Sequence, residues 1–219
     1  MKFLNRLLVF LLVFVAMGYS ADQKFFVQLG YGLMASKGDF NDRALVVKDK
    51  DDNKGNLHPA TLKILGTPDL TLGMNIRNYT LDLDFQYSSA DQKLSGYIDQ
   101  ELEENTTLWR IGAEFTYNLY WPEFFQIGVG GGLSFAGVST DDNLFFGAKT
   151  YDTDFWGMGI GAIADMRYAL TDHVSIVSAL KVYENVFWSL DASPLDDDQL
   201  EDSLWQTFIL ITVTVRYQF

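Results

Sequence analysis

The sequence predicts an all-β chain, an eight-stranded antiparallel up-and-down transmembrane β-barrel, and three observations carry that prediction. Apolar residues alternate with a period of two in eight segments, near 25–35, 69–77, 79–88, 107–118, 124–136, 154–169, 174–183 and 203–219. Side chains of a strand point to opposite faces in turn, so this is the period of strands and not of helices. The connections alternate in length: 36–68, 89–106, 137–153 and 184–202 are long and polar, whereas 78, 119–123 and 170–173 are tight. Short turns at one rim and long loops at the other are what an up-and-down barrel needs, and an even strand count places both termini at the short-turn rim. The third observation is that the charges within the segments fall on one parity.

Before the first segment, residues 1–20 read as a secretory signal peptide. Lys2 and Arg6 supply the basic start, 7–15 the apolar core, and Gly18, Tyr19 and Ser20 a small-x-small cleavage site. The apolar core is too short to span a bilayer as a helix. The barrel domain is then 21–219. Without the leader's two basic residues the chain keeps 14 basic against 29 acidic residues, a net charge of −15. Such a chain is a poor nucleic-acid binder. Cysteine is absent, which is compatible with export and folding without disulfides.

The segments, taken in order, share one face pattern. The apolar parity holds Val27, Leu29, Tyr31 and Leu33; Leu70, Leu72, Met74 and Ile76; Tyr79, Leu81, Leu83, Phe85 and Tyr87; Trp109, Ile111, Ala113, Phe115 and Tyr117. It continues through Phe125 to Phe135, Trp156 to Tyr168 and Val174 to Val182 without a charged residue. A single Arg or Lys facing mid-bilayer lipid costs about 2–4 kcal/mol, which explains the exclusion. Aromatic residues form two bands. Phe25, Phe26, Tyr79, Tyr117, Tyr120, Trp121, Phe124, Phe125, Tyr168, Tyr217 and Phe219 lie toward the short-turn rim, and Tyr87, Trp109, Phe135, Trp156, Phe187, Trp188 and Trp205 toward the loops. Two belts with aliphatic residues between them match the interfacial girdles of a membrane barrel. A soluble lipid-carrying barrel is the competing reading, with the polarity of the two faces reversed.

The other parity carries Arg77, Asp82, Asp84, Arg110, Glu114, Asp165, Arg167, Lys181 and Arg216, together with most of the strand glycines. An eight-stranded barrel is only wide enough for side chains to fill it. Charges buried there must be paired, because desolvating each costs several kcal/mol. The expected lumen network therefore joins Asp82 and Asp84 to Arg110, Glu114 to Arg110 or Arg167, and Asp165 to Lys181 or Arg216. The glycines thin the interior around the segments 124–136 and 154–169, which leaves room for small pockets there.

Loop one is the ambiguous connection. Residues 44–47 and 61–65 are able to pair as a hairpin that extends the first two strands, or to make the barrel ten-stranded; Pro59 and Pro68 disfavour the latter.

The last strand alternates Trp205, Thr207, Ile209, Ile211, Val213, Val215, Tyr217 and Phe219 against Gln206, Phe208, Leu210, Thr212, Thr214, Arg216 and Gln218. Its run of about 40 Å, tilted by about 45°, rises roughly 28 Å, the thickness of a hydrocarbon core. Ile211, Val213, Val215, Tyr217 and the terminal Phe219 resemble the assembly signal of bacterial outer-membrane β-barrels. With this strand in place the whole of 21–219 resembles the small outer-membrane barrels of the OmpA transmembrane-domain, OmpX and OmpW types. The resemblance is one of architecture and terminal signal. It implies an outer-membrane location with both termini periplasmic, insertion by the barrel assembly machinery, and contact with outer-membrane lipid and lipopolysaccharide.

Nothing in the pattern points to catalysis. His58 lies in loop one and His173 in a tight turn, neither in a triad, and no His or Cys pair has metal-ligand spacing. The runs around Gly128–Gly132 and Gly157–Gly161 sit inside strands with no following helix, so they are not phosphate loops. Asn78 and Asn105 begin glycosylation-type triplets that are common by chance. Acidic clusters mark the loops: Asp99, Glu101, Glu103 and Glu104; Asp141 and Asp142; Asp196, Asp197, Asp198, Glu201 and Asp202. They suit a solvated surface, and divalent-cation binding is the alternative. The sequence thus predicts a monomeric, non-enzymatic barrel without cofactor or metal, with a structural or surface-interaction role through its acidic loops. The alternative is a narrow OmpW-like channel for small or hydrophobic solutes.

Overall fold

The computed structural model describes residues 23–42, 45–48, 54–58, 64–94, 102–120, 124–145, 149–193, 199–200 and 203–219. Its eight long strands are β1 (Gln23–Gly38), β4 (Ile64–Ile76), β5 (Tyr79–Leu94), β6 (Leu102–Tyr120), β7 (Phe125–Phe145), β8 (Lys149–Ala169), β9 (Val174–Ser193) and β11 (Leu204–Gln218). Each pairs antiparallel with its neighbours in the chain. The ring closes where β1 meets β11, from Phe26 opposite Gln218 to Gly38 opposite Gln206. Closure gives every long strand a partner on both sides, which is how a sheet satisfies its backbone in hydrocarbon. The signal segment and the acidic residues 99, 101, 196–198, 201 and 202 lie outside the described residues.

The alternation settles which face is which. Leu29, Tyr31, Leu33, Leu133, Ile160, Ile211, Val213 and Val215 all point outward and are exposed. Within the apolar parity only Met74 is buried, beside Phe25 and Leu81 in the ladder. An outward face of this kind is stable only against lipid, because a soluble chain rarely exposes more than a few hundred Å² of contiguous apolar surface. Aromatic residues cluster at both margins, but Phe26 and Phe187, assigned to these bands from the sequence, turn inward and are buried. Tyr79 stacks on Phe115 with centroids 5.3 Å apart near the short turns, and Trp109 meets Trp156 at 5.2 Å near the loops.

The short-turn rim is stitched across neighbouring turns. Asn118 donates its backbone N–H to Asn78 O at 2.7 Å, Gln218 to His173 O at 2.8 Å and Phe219 to Phe25 O at 2.9 Å. His173 lies over Tyr217 with ring centroids 6.1 Å apart, and its Nδ1 sits 3.0 Å from Gln218 O. Arg77 takes the left-handed backbone, φ 53°, that the tight β4–β5 turn imposes.

The strands run well beyond the predicted segments on the loop side. β7 reaches Phe145 and β9 reaches Ser193, against expected ends near 136 and 183. The backbone ladder continues there after apolar alternation fades, because water on the outer face no longer demands an apolar parity.

Loop one departs from expectation in its pairing. Two short strands, β2 (Leu45–Lys48) and β3 (Lys54–His58), form its hairpin. Residues 64 and 65, predicted to pair with 44–47, belong instead to β4. The hairpin does not extend the first two strands. β3 pairs with the top of β7 (Leu57 opposite Phe145), and β2 pairs with β10 (Gln199–Leu200) from loop four. Loops one, three and four are thus joined in one small sheet. Pro68 lies within β4, and β1 pairs with β4 continuously past it. The β4–β5 ladder, however, ends at Asp69 opposite Gln86. That is the residue after the proline, which has no N–H to offer a neighbour.

Candidate functional site in the barrel lumen

The inward parity builds two stacked zones. In the lower one, nearer the short turns, Arg110 on β6 is fully buried. Its Nη1 donates to Asp84 Oδ2 at 2.6 Å and to Gln86 Oε1 at 3.1 Å, and its Nη2 to Glu114 Oε1 at 3.0 Å. Lys181 from β9, on the opposite wall, bridges the same two carboxylates, with Nζ 2.8 Å from Asp84 Oδ2 and 2.9 Å from Glu114 Oε2. Two cations and two anions therefore close a neutral quartet across the bore. Tyr183 completes it, donating its hydroxyl to Glu114 Oε1 at 2.6 Å and placing its ring 3.8 Å from the Arg110 guanidinium carbon.

The glycines make this crowding possible. A Cβ at Gly112, midway between Arg110 and Glu114 on the inward face of β6, would stand 2.5 Å from Arg110 Nη2. At Gly161 it would meet the Tyr183 ring at 2.4 Å. At these two positions the side chains of Arg110 and Tyr183 stand where a Cβ would be.

The other predicted lumen residues take different partners. Arg216 donates from Nε to Gln28 Oε1 at 2.8 Å and stacks 3.8 Å over Phe26. Arg167 donates to Ser175 Oγ at 3.0 Å and Gln218 Oε1 at 3.1 Å. Asp165 lies within electrostatic reach of Arg216, Lys181 and Arg167. Lys181, assigned from sequence to Asp165, has its ammonium on Asp84 and Glu114. Asp82, assigned to Arg110, lies within electrostatic reach of Glu114, Lys181, Arg216 and Asp84. Its Oδ1, with Asp84 Oδ1 and Arg110 Nε, is buried without a hydrogen-bond partner. Toward the rim a neutral chain runs from Asn118 Nδ2 to Thr80 Oγ1 at 2.7 Å and from Thr80 Oγ1 to Asn75 Oδ1 at 2.8 Å.

Above the quartet lies an apolar cluster that the sequence reading missed, with the buried polar side chains of Thr106, Thr140, Asn185 and Gln206 on the same inward parity. Met34, Leu65, Leu108, Val138, Phe155, Phe187, Leu204, Phe208 and Leu210 form one buried cluster. Its signal was present where alternation breaks down, as in Phe208-Ile209-Leu210-Ile211, a run apolar on both faces. Phe40, on the four-residue helix α1 (Asp39–Asp42) that follows β1, drops into this cluster from above. Its ring meets Phe155 at 5.0 Å and Phe187 at 5.1 Å, both edge-on.

Beside this zone the wall has a seam. Above Asp69 and Gln86, β4 and β5 are joined by side chains: Ser88 Oγ donates to Gly66 O at 3.1 Å and Thr67 Oγ1 to Tyr87 O at 3.4 Å. The terminal residues Ile211, Val213, Val215, Tyr217 and Phe219 face outward along β11. His58 lies on β3 opposite Leu144, far along the chain from His173 in the β8–β9 turn.

No family model matches this chain, and no curated protein matches it. Solved structures do. Neisserial surface protein A superimposes with a TM-score of 0.54 at 15% identity, covering 89% of this chain and 97% of that one. The outer membrane protein OprG from Pseudomonas aeruginosa gives a TM-score of 0.55 at 14% identity, over 92% and 98%. At such identities the likeness establishes the fold of a small outer-membrane barrel and leaves activity to the residues.

Proposed function

We propose that the protein is a monomeric, non-enzymatic barrel of the bacterial outer membrane whose role is structural or one of surface interaction, exercised through its acidic outer loops. The observation that carries this reading is a lumen occupied at two levels among the described residues, by the Asp84–Arg110–Glu114–Lys181 quartet below and a buried apolar cluster above. A barrel so filled does its work at its ends. The joining of loops one, three and four through β2, β3, β7 and β10 supports a platform there. In this reading both termini face the periplasm, the outward residues Ile211 to Phe219 are read by the barrel assembly machinery, and lipid and lipopolysaccharide surround the wall. Refolded into planar bilayers, with folding checked by heat-modifiable gel mobility, the protein is expected to be silent. Regular conductance steps would overturn the filled-lumen reading.

A second reading is favoured by the β4–β5 seam: passage of small apolar solutes sideways between the upper lumen and the membrane. Among the described residues, side-chain hydrogen bonds from Thr67 and Ser88 join β4 and β5 where the ladder stops. A Thr67→Cys/Ser88→Cys disulfide is expected to abolish uptake of an apolar dye into proteoliposomes, with recovery on reduction. Equal uptake by the locked and reduced forms would dispose of the seam as a route.

A further inference from the structure

Above the aliphatic band of the wall, charge returns to the outward parity of β1 and β9 in a single row, and the two charges there are opposite. Lys37 on β1 stands opposite Thr207 on β11, and Thr207 stands opposite Glu184 on β9. All three continue the outward alternation of Leu33, Ile209 and Val182. Ladder spacing puts the backbones of Lys37 and Glu184 about 10 Å apart. Glu184 is half-buried, and its carboxylate is held toward β11 because Thr207 Oγ1 donates to its Oε2 at 2.6 Å. Lys37 is exposed, and among the described residues no ion pair joins it to Glu184.

The depth of the row matters as much as its charges. Thr207 is one outward position below Trp205 and Glu184 two below Trp188, and both indoles are exposed. Beneath the row the same wall is aliphatic, with Ile209 and Ile211 on β11 and Leu180 and Val182 on β9 all exposed. Tryptophan marks the headgroup level of a bilayer, so the row lies where hydrocarbon gives way to headgroups. Neither a simple anion nor a simple cation suits it. An anion beside Lys37 is repelled by Glu184 and by the chain's net charge of −13, and a cation beside Glu184 is repelled by Lys37.

We propose that the Lys37–Thr207–Glu184 row binds the headgroup of a membrane lipid that carries phosphoethanolamine, with its phosphate on Lys37 and its ammonium on Glu184. A zwitterion answers both charges at once, and the aliphatic wall below receives its acyl chains. The primary ammonium donates charge-assisted hydrogen bonds to the Glu184 carboxylate, which a quaternary ammonium has no N–H to make. The proposal goes beyond the role assigned to the loops. It rests on the outward wall alone and holds whether or not the lumen conducts.

The test is native mass spectrometry of the full protein released from lipid nanodiscs that hold phosphatidylethanolamine, phosphatidylcholine and phosphatidylglycerol in equal parts with identical chains. The wild type is expected to retain one phosphatidylethanolamine about tenfold over phosphatidylcholine, the selectivity that one charge-assisted hydrogen bond confers. Glu184→Gln is expected to remove that preference, and Lys37→Met to weaken retention of both lipids alike. Thr207→Val, which releases the Glu184 carboxylate, serves as a second variant should Glu184→Gln fail to fold, with a partial loss expected. Equal retention of the three lipids by the wild type, or a preference for either of the other two, would overturn the proposal. A phosphatidylethanolamine preference that survives in folded Glu184→Gln would place the lipid elsewhere and overturn it too. Conductance of the same preparation reads the filled-lumen proposal separately, so each is able to fail without the other.

Discussion

The lower and upper halves of this lumen face the same steric problem and solve it with opposite chemistry. Below, charged and hydrogen-bonding side chains reach across the bore from β5, β6 and β9 and neutralise one another, Arg110 and Lys181 both resting on Asp84 and Glu114. Above, the cluster around Leu108, Phe155, Phe187 and Phe208 packs carbon on carbon, with hydroxyl pairs such as Thr106–Thr140 beside it. The polar half depends on completeness, since a buried charge deprived of its partner retains the full cost of desolvation. The apolar half degrades gradually, because each atom removed forfeits only its own contacts and a share of cavity. The two halves should therefore respond differently to the same kind of damage.

The largest effect is expected from Arg110→Ala. It strands Asp84 and Glu114 with Lys181 as their remaining cation and should cost about 3–5 kcal/mol, measured by urea unfolding in lipid vesicles. The same variant should stay silent in planar bilayers, because the upper zone still seals the bore; a conducting Arg110→Ala would show that the quartet alone is the barrier. Next in size, Phe208→Leu in the upper half should cost about 1–2 kcal/mol, with the fold and cooperativity retained. A cost equal to that of Arg110→Ala would erase the distinction between the halves. Smallest is Asn118→Ala near the rim, expected to cost about 1 kcal/mol for its bond to Thr80. A loss of several kcal/mol there would extend the all-or-none behaviour of the quartet down to the turns.

Some of this was legible in the chain and some was not, for identifiable reasons. The lipid face was readable residue by residue, because hydrocarbon tolerates no charge and so imposes a strict parity on Leu29 through Val215. The lumen charges were readable as a set for the same reason. Their partners were not: Lys181 lies 97 positions from Asp84 in the chain, and only barrel closure brings the two together. The apolar upper lumen was hidden because Phe208 and Leu210 read as an unbroken run with their outward neighbours. The glycines were legible as small residues facing a crowded lumen, but not which side chain each receives, as Gly161 receives Tyr183.

What the sequence by itself determined is the architecture: strand period, turn and loop alternation, and the face that meets lipid. These rest on local geometry and on a solvent that penalises every exception, so each strand carries its own evidence. What only the tertiary structure decided is which inward side chain meets which, where the lumen changes from paired charge to packed carbon, that the loop-one hairpin joins β7 and β10, and that Phe40 enters the cluster from α1. Those facts depend on the register around a closed ring, a property of all eight strands together that no single stretch of chain records.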